Sequence, residues 1–146
     1  MATSERVLVA VLRVFGGLSL LATVAVFMPL AWMDACHAWL GLGPLPQGPI
    51  VEYLARSTSA LYAMMGGLVW LAAGDPRRYE RVIAYLAAVV AAFGAVMGVV
   101  DLRLGMPLLW TLGEGPGTVL MGLVLRILLA RARASWRRED AAAAPR

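Results

Sequence analysis

Apolar residues along this chain come in long runs that charged residues do not interrupt. Residues 14–33, 57–74 and 82–100 contain no Asp, Glu, Lys or Arg. Each run has close to the roughly 20 apolar residues that an α-helix needs to cross about 30 Å of hydrocarbon. No water is available in that layer to bond to the backbone, so a spanning segment of this kind must be helical. The pattern predicts three membrane-spanning helices.

A fourth apolar run, residues 104–125, is less regular. It contains one charged residue, Glu114, and several Gly and Pro residues, which break helices in their interior. We therefore expect residues 106–113 to be a short interfacial or re-entrant piece, and Pro116 to lie in the first turn of a fourth helix. The predicted helices cover residues 6–28, 54–73, 79–101 and 116–133, and residues 134–146 are expected to form a flexible basic tail in the cytoplasm.

The segment after the first run predicts a helix that lies along the membrane surface. Trp32 and Trp39 are seven residues apart and share one helical face. Asp34 and His37 are three residues apart and share the opposite face. Tryptophan is common at the level of the lipid headgroups. We expect a short interfacial helix over residues 32–40.

The composition agrees with a membrane location. Of all residues, 61% are hydrophobic and 15% are charged, whereas soluble domains average about 45–50% apolar and about 25% charged residues. A water-soluble fold of this length cannot hide so much apolar surface, which excludes a soluble enzyme domain and a disordered chain. The expected fold class is all-α: a four-helix transmembrane bundle over residues 1–133, with a short interfacial helix in the first outer loop.

The arginines predict the orientation. All thirteen basic residues are Arg, and only Arg56 and Arg103 fall on the side of the membrane opposite the others. Cytoplasmic loops of membrane proteins carry the excess of basic residues. We therefore expect a multi-pass protein of the bacterial inner membrane with both termini in the cytoplasm. Because the arginines flank apolar segments, the phospholipid bilayer is the expected partner, and nucleic acid is not.

Small residues four apart predict where the helices pack. Lipid supplies no hydrophobic drive between helices, so close contact depends on small side chains. Lines of small residues along a helix are compatible with packing between helices of one chain. They are equally compatible with a homodimer or a larger membrane complex. These lines are Ser59, Ala63 and Gly67 on the second helix, Ala87, Ala91 and Ala95 with Gly94 and Gly98 on the third, and Thr118 and Gly122 on the fourth.

Polar side chains collect at the outer ends of the predicted helices. One hypothesis is that Arg56, Asp101 and Glu114 meet in a vestibule that binds a lipid headgroup or another small polar ligand, with His37 as a lid. The other interpretation is that Arg56 pairs with Asp101 or Glu114 and locks the helix ends together. The candidate ligand-binding residues are Arg56, Asp101, Glu114, His37, Tyr62 and Glu52.

The residues give little support to an enzyme. One His and one Cys, His37 and Cys36, cannot build a Cys/His zinc site, and no Gly-rich loop with a Lys is present to hold a nucleotide. We assign no catalytic residue, cofactor or metal. The expected function is that of a non-enzymatic accessory or lipid- or small-ligand-binding module. The alternative is a membrane-embedded enzyme or transporter that uses Arg56, Asp101 and Glu114.

Three strings carry a resemblance to a known family. They are WLGLGPLP from Trp39, YLARS from Tyr53 followed by SALYA from Ser59, and GMPLLWTLGEGP from Gly105. With them the chain resembles a family of small uncharacterised bacterial four-helix integral membrane proteins. In layout alone it is also similar to DoxX-like four-helix proteins. The resemblance implies the fold and the membrane location, and it implies no activity.

Overall fold

Helices account for nearly all of the chain in the computed structural model, which describes residues 2–144. Within these residues there is no strand. The helices are α1 (Thr3–Leu20), α2 (Ala22–Phe27), α3 (Leu30–Trp39), α4 (Pro49–Gly74), α5 (Glu80–Leu104), α6 (Leu108–Leu112) and α7 (Thr118–Ala143), and a π-helical turn over Gly113–Gly117 joins α6 to α7.

Three stretches are long and apolar enough to cross a membrane: Thr3–Phe27, Glu80–Leu104 and Leu108–Ala143. They agree with the first, third and fourth apolar runs. The helix on the second run, α4, is 26 residues long and is not one of these three. The chain therefore has three helical stretches with the length and hydropathy of membrane-spanning helices.

The predicted start of the last helix is wrong. Pro116 does not open the helix but lies inside the π-helical turn, and the helical path already begins at Leu108. A π-helical turn is one residue wider than an α-helical turn, so proline can be accommodated without ending the helix. The hydroxyl of Thr118 donates to the carbonyl oxygen of Gly113 at 3.4 Å across this turn.

The predicted flexible tail is also wrong over most of its length. α7 continues to Ala143, well past the expected end at residue 133. Ser135 and Trp136 are buried, and Trp136 belongs to the same apolar core as Leu129 and Ala132. The spacing of these residues continues the buried face of the helix, which explains why the helix does not stop. Residues 145–146 of the predicted tail lie outside the described residues.

The helices form two pairs. α1 and α2 pack along α4, while α7 and the π-helical turn pack along α5. The pairs meet chiefly through α1 and α7, whereas α4 and α5, which are consecutive in the chain, scarcely touch. The two pairs are therefore held together by a contact between the first and the last long helix.

Glycines bring the paired helices into backbone contact. A Cβ atom on Gly122 of α7 would lie 2.6 Å from the carbonyl oxygen of Ala87 and 2.8 Å from the Cβ of Ala91 on α5. This contact confirms that the predicted small-residue lines of these two helices pack within the chain. On α4 the contact residue is Gly66, which lies against Gly16 of α1, and not the predicted Gly67, which faces open space.

The apolar core fills only one end of the structure. We call it the arginine-rich end; it holds the start of α1, the end of α7 and the turn over residues 75–79 that joins α4 to α5. The other end, with α3 and α6, is the loop end. On α4 every buried residue lies at Gly66 or later, so its loop-end half contributes none to the core. The core residues are Leu8, Leu12, Val69, Ala72, Ala73, Ile83, Leu86, Ala87, Leu125, Leu129, Ala132 and Trp136.

Candidate functional site

A groove opens at the loop end, where the two helical pairs share no core. It has a volume of about 690 Å³, and α3, α4, α6 and the π-helical turn line it. We call it the aromatic groove. Most of its surface is formed by aromatic and aliphatic side chains. Its lining residues are Trp39, Leu40, Thr58, Tyr62, Leu109, Trp110, Gly113 and Glu114.

Glu114 is the charged residue of the aromatic groove. It lies four residues after Trp110, on the same helical face, and the indole Nε1 of Trp110 donates to Glu114 Oε2 at 2.7 Å. Across residues 2–144, Glu114 forms no ion pair. Thr58 and Tyr62 of α4, one turn apart, add two hydroxyl groups to the groove. The site thus combines aromatic walls with a carboxylate that no cation neutralises.

Arg56 has a different role from the predicted one. Its guanidinium donates to Glu52 Oε1, from Nε at 3.0 Å and from Nη2 at 2.8 Å. It also donates to the carbonyl oxygens of Val26 and, at 3.2 Å, Met28. Pro29 follows these residues and has no N–H group, so the chain between α2 and α3 leaves carbonyls without helical donors. Arg56 satisfies them and joins α4 to the end of α2.

The predicted meeting of Arg56, Asp101 and Glu114 does not occur. Among the described residues, neither acid forms an ion pair with Arg56. Asp101 is 2% exposed at the end of α5, and its Oδ2 atom has no hydrogen-bond partner. Both interpretations of Arg56, as part of a vestibule and as a lock on Asp101 or Glu114, are therefore wrong. Arg56 belongs to the pair formed by α1, α2 and α4, whereas Asp101 and Glu114 belong to the pair of α5 with α7 and the π-helical turn.

His37 and Asp34 hold the loop that follows α3. His37 Nδ1 donates to the carbonyl oxygen of Gly43 at 2.8 Å, and Asp34 Oδ1 accepts from the backbone N–H of Leu45 at 2.7 Å. Both side chains reach the same loop, as expected for residues on one helical face. His37 does not line the aromatic groove, so the hypothesis of a lid is wrong.

Of the six predicted ligand-binding residues, Tyr62 and Glu114 line the aromatic groove, while Arg56, Glu52, Asp101 and His37 do not. The sequence analysis did not assign Trp110, Thr58 or Trp39 to a ligand site, although all three line the groove. The spacing of four between Trp110 and Glu114 is a signal that was present in the sequence. Within residues 2–144 there is no group of three His, Cys, Asp or Glu side chains that could hold a metal ion.

Comparison of the chain with protein-family models, with curated proteins and with solved structures found no match. The geometry of the aromatic groove is therefore the basis for a functional proposal.

Proposed function

We propose that this chain is a multi-pass protein of the bacterial inner membrane with four crossings and both termini in the cytoplasm. The fourth crossing is α4, whose 26 residues give about 39 Å of helix and which packs along α1 and α2. The orientation is supported by the arginines, since among residues 2–144 all but Arg56 and Arg103 lie toward the arginine-rich end. In this orientation the aromatic groove faces outward.

The proposed function is non-enzymatic: the aromatic groove binds a lipid or a small amphiphile at the outer face of the membrane. The observation that carries the proposal is the groove of about 690 Å³ with aromatic walls and the carboxylate of Glu114. Ligand sites are mostly apolar cavities of about 300–1,000 Å³ with a few polar groups that orient the ligand. The groove fits this description.

The groove also indicates the chemistry of the ligand. Its aromatic and leucine side chains suit an acyl chain or another apolar body. Glu114 is its charged acceptor, and Trp110, Tyr62 and Trp39 line the same groove. Aromatic faces attract cations, and a carboxylate forms its strongest hydrogen bonds with charged donors. An amphiphile with an ammonium head, such as a phosphatidylethanolamine, is the ligand class that we propose.

An enzyme or transporter built on Arg56, Asp101 and Glu114 is the weaker proposal. The hydrogen bonds of Arg56 go to Glu52 and to backbone carbonyls, so its guanidinium is not available to form a charged cluster with the two other residues.

Binding of lysophosphatidylethanolamine to the detergent-solubilised full chain tests the function, with native mass spectrometry as the measurement. We expect Glu114→Gln to weaken binding by about tenfold, because a charge-assisted hydrogen bond is lost. The control is Glu139→Gln, which removes the same charge from an exposed residue of α7 and should leave binding unchanged. Equal affinity of Glu114→Gln and the unsubstituted chain would refute the groove as the site.

The topology is tested separately with reporter fusions. A phosphatase that is active only outside the cytoplasm should be active when fused after Gln47, in the loop between α3 and α4, and inactive when fused to the carboxyl terminus. An active phosphatase at the carboxyl terminus would overturn the orientation without deciding whether the groove binds a ligand.

A further inference from the structure

The arginine-rich end contains a second cavity, which we call the basic pocket. It has a volume of about 610 Å³ and lies between α7 and the junction of the 75–79 turn with α5. Unlike the aromatic groove, it is lined mostly by charged side chains. Its lining residues are Arg77, Glu80, Arg81, Arg133, Trp136, Arg137 and Asp140.

Two ion pairs form part of the wall of the basic pocket. Arg133 Nε donates to Glu80 Oε2 at 3.1 Å, which joins α7 to the start of α5. Arg77 Nη2 donates to both carboxylate oxygens of Asp140 at 2.5 Å, which joins the 75–79 turn to α7. The hydrogen bond and the charge of Asp140 raise the pKa of Arg77 above its ordinary value.

The other two arginines of the pocket have no acidic partner. Within residues 2–144, Arg81 and Arg137 take part in no ion pair. The pocket thus has four guanidinium groups and two carboxylates, which leaves two positive charges uncompensated. Guanidinium groups bind phosphate through paired, charge-assisted hydrogen bonds. The charge of the pocket therefore favours an anion.

An independent observation indicates that a hydrogen-bond acceptor belongs at this site. Trp136 is 4% exposed, and its Nε1 atom is buried without a hydrogen-bond partner. Most buried polar groups in proteins are hydrogen-bonded, and an exception calls for an explanation. The indole N–H can only donate. Trp136 also lines the basic pocket, and an anionic oxygen is the kind of acceptor that its N–H lacks.

We propose that the basic pocket binds the phosphate group of an anionic phospholipid. The pocket lies where the apolar runs end, between the close of α4 at Gly74 and the start of α5 at Glu80, which is the level of the headgroups in a spanning chain. Basic pockets between spanning helices on the cytoplasmic side hold such headgroups. This inference rests on the proposed membrane topology and is independent of any ligand in the aromatic groove.

The experiment measures lipid retention by the full chain in detergent micelles with native mass spectrometry. The probes are phosphatidylglycerol, phosphatidylcholine and inorganic phosphate. The test variant is Arg81→Gln with Arg137→Gln, which spares both ion pairs. The control is Arg131→Gln with Arg138→Gln, which removes the same charge from exposed residues of α7 outside the pocket.

We expect the unsubstituted chain to retain phosphatidylglycerol in preference to phosphatidylcholine. The test variant should bind phosphatidylglycerol at least about tenfold more weakly, and the control should stay within about twofold of the unsubstituted chain. An equal loss in both variants would mean unspecific attraction and would overturn the proposal. Saturation of the pocket by inorganic phosphate without retention of phosphatidylglycerol would overturn the lipid source while keeping the phosphate site.

Trp136→Phe separates a ligand role from a structural one. Phenylalanine keeps an aromatic ring in the core but has no N–H group. We expect weaker retention of phosphatidylglycerol by about threefold or more, together with an unchanged or higher melting temperature in lipid-free detergent, since the unsatisfied donor is gone. Unchanged retention would show that the indole N–H does not contact the lipid, and would remove the second support of the proposal. A negative result with these variants would overturn the basic pocket as a lipid site, and it would not bear on the proposed binding of an ethanolamine lipid at the aromatic groove.

Discussion

Arg56 Nη1 donates a hydrogen bond to the carbonyl oxygen of Val26, from the first half of α4 to the end of α2. The same guanidinium reaches the carbonyl of Met28 and is held by Glu52, one turn earlier on α4. Arg56 therefore performs for α2 what a capping group performs at the end of a helix. Its charge serves the fold and is not offered to a ligand.

We predict that Arg56→Ala lowers the stability of the folded chain. Two carbonyls lose their donor, and Glu52 loses its partner, for an expected cost of about 2 kcal/mol. Thermal unfolding in detergent, followed by circular dichroism, measures the effect. Arg103→Ala is the control, because the side chain of Arg103 is exposed and forms no hydrogen bond among the described residues. Equal melting temperatures of the two variants would contradict the capping role.

Gly122 should be sensitive to a single added methyl group. In Gly122→Ala the new Cβ would lie 2.6 Å from the carbonyl oxygen of Ala87, which is backbone and cannot move away without separating α5 from α7. We expect a loss of about 1–3 kcal/mol, measured by thermal unfolding in detergent.

Gly67→Ala is the matched control for that substitution. Gly67 lies in the interior of α4 with open space around its Cβ position, so alanine should stabilise the helix by about 0.5–1 kcal/mol. We expect Gly122→Ala to lower the stability of the folded chain and Gly67→Ala to raise it. A loss of similar size at Gly67 would show that α4 packs on a face that the structure leaves open.

Asp34 should protect the loop between α3 and α4 from proteolysis. Its carboxylate accepts from the N–H of Leu45, and removal of this acceptor frees one of the two side-chain hydrogen bonds that join the loop to α3. We expect Asp34→Ala to increase the rate of cleavage between residues 41 and 48 by about tenfold. Limited proteolysis with mass spectrometry of the fragments gives the rate. Asp34→Asn keeps an acceptor and should retain most of the protection.

Residues 134–143 should be needed for stability, although the composition of the segment indicates a tail. A chain that ends at Arg133 loses Trp136, which is buried in the core, and we expect a cost of about 3–5 kcal/mol. A chain that ends at Ala143 keeps the whole of α7 and should unfold at the temperature of the full chain. If both truncated chains unfolded at the same temperature, residues 134–143 would contribute nothing to stability.

Several features were accessible from local patterns. The long apolar runs predicted spanning helices on the first, third and fourth runs because crossing a membrane depends on the length and hydropathy of each segment by itself. The lines with Thr118 and Gly122 predicted close packing because small side chains permit backbone contact. The start of the last helix was predicted wrongly at Pro116 because proline usually opens or breaks an α-helix. The wider turn around Pro116 cannot be recognised from the hydropathy pattern.

Hydropathy and helix length are properties of single segments, and the uneven placement of arginine is a count of residues along the chain. The order of residues alone therefore determines all three. The groove, the pocket and the partners of Arg56 and Trp136 depend on how far apart two helical pairs stand and how each helix is rotated. Those distances follow from backbone contacts at Gly66 and Gly122 and from a core confined to one end. Such contacts join residues far apart in the chain, and only the folded arrangement could decide them.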